Sequence, residues 1–279
     1  MRKPKWLNKK IDINKCREVA SLMGELKLNT ICKEASCPNI SECFNKKIAT
    51  FLILGDICTR NCKFCGVQKG EPLKVDKKEN QRVLEAIKKL GLKYVVITSV
   101  TRDDLKDGGA KNFADIIKQL KEKIPQIKIE VLVPDFKGNE KDIEKVVKAQ
   151  PDIFSHNIET ISRLYPQVRQ MADYKLSLSV LQKAKDIAPY IKTKTGIMLG
   201  LGETQVQVLE ALDDLRKVNC DFISIGQYLP PSTTHYKVQE YITPEMFDFY
   251  KEQAIQKGFK HVESAPYVRS SYMADRYLG

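Results

Sequence analysis

From residue 50 onward, short β-branched apolar runs alternate with stretches of helical periodicity, and this alternation restricts the fold more than any other feature of the sequence. The runs at 50–54, 94–99, 128–133, 153–157, 191–199 and 222–229 are nearly continuous in apolar character. That pattern predicts strands covered on both faces rather than half-exposed ones. Helical patterns fall between them, near 112–123, 140–149, 176–188 and 204–218. The first helix is expected to be capped by Asp76 with Glu79 three residues on, to present Val83, Leu84, Ile87 and Leu90 on one face, and to stop at Gly91. Thr243-Pro244 forms a cap and first-turn pair for the last helix.

Six βα units with right-handed crossovers either close partly into a barrel or open into a doubly wound sheet, and periodicity does not choose between the two. Ligands gather at the carboxyl ends of the strands in both cases. With 279 residues, 42% of them hydrophobic, one main domain is the expectation: 50–258, with 1–49 before it and 259–279 after it placed to cover the mouths.

The chain opens Met1-Arg2-Lys3-Pro4-Lys5-Trp6 without an apolar stretch behind it, and no run approaches the roughly 20 apolar residues of a membrane span. A soluble, cytoplasmic protein is expected. Its eight cysteines then read as metal ligands rather than disulfide partners, which need an oxidising compartment. Directly after the first strand comes Cys58-Thr59-Arg60-Asn61-Cys62-Lys63-Phe64-Cys65, a C-x3-C-x2-C loop. Three close thiolates without a local fourth suit a 4Fe-4S cluster whose remaining iron is open to a ligand. Structural zinc, the competing reading, usually takes four closed ligands. A second trio, Cys32, Cys37 and Cys43 with spacing C-x4-C-x5-C, lies among the turn formers Pro38, Asn39 and Ser41, and its fourth ligand is not obvious. Cys16 and Cys220 stand alone and read as packing residues.

Forty-seven Lys and Arg against 35 Asp and Glu give a formal charge of +12, which favours an acidic partner or a merely solvated lysine-rich surface. No arginine-rich block or RNA-binding signature accompanies it, and nucleic acid and membrane are not expected partners. Gly196-x-x-x-Gly200-x-Gly202 lacks the spacing of a dinucleotide loop. His156, beside a strand end, reads as a hydrogen-bonded wall in preference to a ligand.

The C-x3-C-x2-C loop with aromatic Phe64 resembles the radical S-adenosylmethionine (SAM) superfamily. The N-terminal trio together with Arg269-Ser270-Ser271-Tyr272 makes the chain similar to the lipoyl synthase family. The likeness extends over Thr98-Ser99-Val100, Arg102-Asp103-Asp104, Asn157-Ile158-Glu159-Thr160, the stretch 196–203 and Gly226-Gln227-Tyr228-Leu229-Pro230. It departs from the family pattern at Asn112, Lys175, Ala265 and Met273.

That resemblance implies a partial (β/α)6, TIM-like barrel with extensions covering its ends. It also implies insertion of two sulfur atoms at C6 and C8 of a protein-bound octanoyl-lysine chain. Two 4Fe-4S clusters and SAM would be the cofactors: Cys58, Cys62 and Cys65 would hold one cluster, and Cys32, Cys37, Cys43 and Ser271 a second, sacrificed one. Arg269 would act beside Ser271, while Phe64, Thr98, Ser99, Asn157, Glu159, Met198 and Tyr228 would contact SAM. An octanoylated lipoyl carrier protein or domain, a low-potential electron donor such as ferredoxin or flavodoxin, and an iron-sulfur cluster carrier are the implied partners. Two other readings compete. An iron-sulfur electron carrier needs no pocket, and a zinc-bearing nucleic-acid binder would draw on the basic charge.

Overall fold

The computed structural model describes residues 3–8, 17–34, 37–45 and 50–278; Cys16 lies outside them. The strands are β1 (Asn29–Thr30), β2 (Thr50–Ile53), β3 (Ile57–Cys58), β4 (Gln68–Lys69), β5 (Tyr94–Ser99), β6 (Lys128–Leu132), β7 (Ile153–Ser155), β8 (Lys192–Leu199), β9 (Phe222–Gln227) and β10 (His261–Ser264). Eight of them form one sheet in the order β1-β2-β5-β6-β7-β8-β9-β10, parallel throughout except for β1. The two edges do not pair, so the fold is a partial barrel. All six expected strands are present. A seventh parallel strand, β10, lies in the segment read as a C-terminal tail, and the N-terminal stretch contributes the antiparallel edge strand β1.

The helices are α1 (Arg17–Glu25), α2 (Ile31–Glu34), α3 (Ile40–Asn45), α4 (Glu79–Leu90), α5 (Ala110–Lys123), α6 (Glu140–Lys148), α7 (Tyr165–Val168), α8 (Tyr174–Ile187), α9 (Gln205–Lys217) and α10 (Pro244–Gln256). None among the described residues is long and apolar enough to cross a membrane. Thr243 caps α10 by accepting from Met246 N–H, and Gly91 ends α4 at φ 61°, both as expected. The start of α4 differs. Lys78 holds the cap position, while Asp76 lies two residues earlier and accepts from Lys78 N–H at 2.8 Å. Glu79 turns inward, accepting from Leu54 N–H (2.7 Å) and Gly55 N–H (3.4 Å). The chain leaves the sheet there with positive φ at both residues, so their N–H groups need another acceptor.

The strands at 128–133 and 191–199, read as apolar, each hide a charge. Glu130 and Lys194 are fully buried and paired at 3.0 Å inside the barrel. Glu130 also accepts from Tyr94 Oη and Ser155 Oγ, each at 2.8 Å. A pair so saturated is costly to break from one side, about 3–5 kcal/mol. Beneath it, Tyr94, Val96, Ile153 and Phe222 meet Ala274 and Tyr277 of the terminal 3-10 turn Ala274–Leu278, which fills the amino-terminal end of the barrel.

Candidate active site

A cavity of about 350 Å³ opens at the carboxyl ends of the strands, and both thiol trios border it. Loop 58–65 is fixed to the barrel by a buried charge that the sequence reading did not single out. Arg60 donates from Nε and Nη2 to Asp103 (2.7 and 2.9 Å) and from Nη2 to Asp135 Oδ1 (2.8 Å), bridging the loops that follow β5 and β6. Thr59 N–H and Oγ1 both donate to Thr101 O at 3.0 Å. Lys63 N–H donates to Val168 O at 2.8 Å, and His235 Nε2 lies 3.1 Å from Cys65 O. The nearby Arg102-Asp103-Asp104 was the available signal: an arginine inside a buried metal loop needs carboxylates within reach.

The second trio is held by backbone turns and by the other end of the chain. Cys37 N–H donates to Cys32 O and Cys43 N–H to Asn39 O, both at 2.9 Å. Asn39 Nδ2 donates to Tyr267 O at 2.6 Å, and Tyr272 Oη donates to Glu42 at 3.0 Å. These contacts bring Arg269, Ser270, Ser271 and Tyr272 to the cavity wall. Ser270 Oγ is engaged with Asn157 Oδ1 at 2.9 Å. Burial of Arg269 lowers its pKa, against the opposing charge of Cys37 beside it.

Phe64, Thr98, Ser99, Asn157, Glu159, Met198 and Tyr228 all line the same cavity. Two of their hydroxyls are already used: Thr98 Oγ1 donates to Leu132 O (2.9 Å) and Tyr228 Oη to Tyr236 O (2.7 Å). Ser99 Oγ is buried without a partner. Glu159 sits at φ 64°, a conformation uncommon for a residue with a side chain, and accepts from Asn157 Nδ2 at 3.0 Å. Burial raises its carboxyl pKa, with the Arg169 charge opposing. Arg169 was not foreseen, since it follows the short helix α7 rather than a strand. It donates to Asn157 O and Tyr165 Oη, each at 3.0 Å. His156 stands in the wall with Nδ1 2.8 Å from Val133 O, and burial, then the Arg169 charge, lowers its pKa to about 4. Asn112, Lys175, Ala265 and Met273 lie outside the lining.

The thiols suit a cationic cluster. Burial first, then Cys37 and Cys43, pushes Cys32 up to about 12; burial, with Cys62 and Cys58 adding to it, pushes Cys65 to about 12. Thiols so crowded remain protonated without a positive centre to hold them as thiolates, and soft sulfur donors select iron-sulfur or zinc. No three His, Cys, Asp or Glu side chains among the described residues are grouped as ligands of a single ion. The trios border a shared space instead.

The model of the radical SAM superfamily matches residues 52–226. A lipoyl synthase from Caldicellulosiruptor saccharolyticus is 60% identical over 275 residues, covering 98% of this chain and 96% of its own. One from Geotalea daltonii is 54% identical, with 99% and 94% covered. Among solved structures, methylornithine synthase superposes with a TM-score of 0.60 at 13% identity, covering 88% of this chain and 81% of that one. At that identity the likeness speaks for the fold.

Proposed function

The chain belongs to the lipoyl synthase family of the radical SAM superfamily, and on that footing we propose how its own residues divide the work of a sulfur-inserting enzyme. One observation carries the reading: two separate thiol trios, and the serines of the distant terminal motif, face a single cavity. A bound 4Fe-4S cluster with SAM supplies a carbon radical able to take hydrogen from an unactivated methylene, which has no proton acidic enough for a side-chain base. Cys58, Cys62 and Cys65 hold that cluster, and Arg60 keeps their loop in register. Asn157, Glu159, Ser99 and Met198 wall the SAM site with Phe64, Thr98 and Tyr228. Glu159 and Asn157 offer the polar contacts.

Cys32, Cys37 and Cys43 hold a second cluster as the sulfur source, with Ser271 as the fourth ligand. Ser270 spends its hydroxyl on Asn157, which favours its neighbour for this role. Oxygen is a harder donor than thiolate and yields more readily, which suits a cluster consumed in the reaction. Arg269 brings a half-buried guanidinium to the cavity wall that Cys37 also lines. The apolar walls at Leu52, Leu132 and Ile197 match an aliphatic chain, and the substrate is an octanoyl-lysine on a lipoyl carrier, sulfurated at C6 and C8. A low-potential donor such as ferredoxin or flavodoxin and an iron-sulfur cluster carrier complete the cycle. The seven described cysteines are free thiols, consistent with a reducing compartment, and we place the protein in the cytoplasm.

The test is mass spectrometry of an octanoyl-lysine carrier peptide incubated anaerobically with reconstituted protein, SAM and dithionite. Gain of two sulfurs by wild type and none by Cys32→Ala is the expected result. Release of 5′-deoxyadenosine without any sulfurated peptide from wild type would mean the substrate is wrong.

A further inference from the structure

Beyond β10, residues 266–278 turn back into the barrel and run along the inner face of β9. A Cβ on Gly226 would stand 2.0 Å from Val268 O, so only glycine admits the segment at this depth. Farther along, Ser224 Oγ lies 3.4 Å from Ser270 O and 2.7 Å from Tyr277 Oη. A carbonyl can only accept, and a serine hydroxyl has a single proton. When that proton is directed at Ser270 O, Tyr277 Oη–H is the donor to Ser224. In that arrangement the donors run from Tyr277 to Ser224 to the carbonyl of Ser270.

Tyr277 is suited to be the fixed end. It is buried, its ring lies against Phe222 with centroids 5.4 Å apart, and Lys194 Nζ stands 3.8 Å from its centroid. Lys194 is in turn held by Glu130. On the other side of Ser271, Tyr272 is bound to Glu42, which lies between Cys37 and Cys43 in sequence.

We propose that Tyr277 is a positioning residue for Ser271: through Ser224 it fixes the carbonyl of Ser270, and so the direction in which the next hydroxyl meets Cys32, Cys37 and Cys43. The inference rests on the reading of Ser271 as a ligand of the second cluster. A tyrosine that only plugged the barrel would need its ring alone; the relay needs its hydroxyl. Tyr277→Phe separates the two, because it keeps the ring over Lys194 and removes the donor.

The experiment compares full-length wild type with Tyr277→Phe, Ser224→Ala, their double variant and Ser271→Ala. Hydrogen exchange of peptides within 266–273 is read with the Mössbauer spectrum after reconstitution with enriched iron. Tyr277→Phe and Ser224→Ala are each expected to speed exchange of that segment roughly tenfold and to disturb the spectrum of the second cluster, while peptides from β5 exchange as in wild type. The double variant should go no further than either single one, since one relay is broken in all three. Ser271→Ala should change the spectrum and leave exchange alone. A changed spectrum in Ser271→Ala beside wild-type exchange and spectrum in Tyr277→Phe would overturn the positioning role alone. A wild-type spectrum in Ser271→Ala would remove the ligand reading and this proposal with it.

Discussion

The two thiol trios share a cavity but are held in different ways. Loop 58–65 is locked by groups on the strand ends themselves, above all by Arg60 between Asp103 and Asp135. The trio at 32–43 sits on the short helices α2 and α3 and the turn between them, and is tied to the terminal segment through Asn39 to Tyr267 and Glu42 to Tyr272. One site thus inherits the rigidity of the sheet. The other depends on the two ends of the chain meeting across the barrel. A site that must keep its contents benefits from the first arrangement, and one that must be dismantled and refilled from the second.

The largest effects should come from the thiols, and they should separate the sites. Cys58→Ala is expected to abolish 5′-deoxyadenosine release altogether while leaving iron at the second trio. Cys32→Ala is expected to keep 5′-deoxyadenosine release and lose all sulfurated product. Iron and sulfide counts beside product analysis check both. Loss of SAM cleavage in both variants would mean that the sites are not independently held and would break the comparison.

Arg60→Ala should come next. Its removal leaves Asp135, 1% exposed, without the cation that offsets its burial, at a cost of about 3–5 kcal/mol. The expected result is a marked fall in thermal midpoint and poor retention of the first cluster, with the second trio still binding iron. The same clamp predicts a pH dependence. Burial alone would raise the Asp135 carboxyl, but the hydrogen bonds and charge of Arg60 outweigh it and hold the group down to about 2. A depressed pKa stabilises the fold above the unfolded value near 4, and that stabilisation, about 2 kcal/mol, is lost as pH falls toward 2. Acid unfolding followed by circular dichroism should show this component in wild type and its absence in Arg60→Ala.

Much of this was legible because it is local. Six strands follow from apolar runs, and both trios from cysteine spacing, since spacing along a loop already fixes which thiols can converge. The terminal Arg-Ser-Ser-Tyr motif was legible by family resemblance, and the structure brings it to the same wall. What escaped was non-local. β10, His261–Ser264, holds one apolar residue among four, so no apolar run marks it and only its pairing with β9 makes it a strand. Glu130 and Lys194 look like solvated charges until a register places them face to face inside the barrel. Arg60 carries no spacing signal of its own, because its carboxylates lie 43 and 75 residues away; Arg169 has its partners within 12 residues but follows a helix end, where no strand marks a site. The misread cap at Asp76 has the same origin: Glu79 is claimed by Leu54 and Gly55 of another element.

The smallest effect is the sharpest test of the contrast. Tyr272→Phe removes the hydrogen bond from Tyr272 Oη to Glu42 at 3.0 Å and leaves the ring in place. A bond to a carboxylate of this kind is worth about 1.5–3 kcal/mol at most when buried, and less here because the pair is only partly buried. A drop of about 1 kcal/mol would weaken retention of the second cluster roughly fivefold, measured as iron released to a chelator over time. The first trio makes no contact with Tyr272 in its hydrogen-bond scheme, so its iron should leave at the wild-type rate. Equal acceleration at both trios would show that the chain ends support the whole cavity, and the distinction between a sheet-held site and an end-held site would fall.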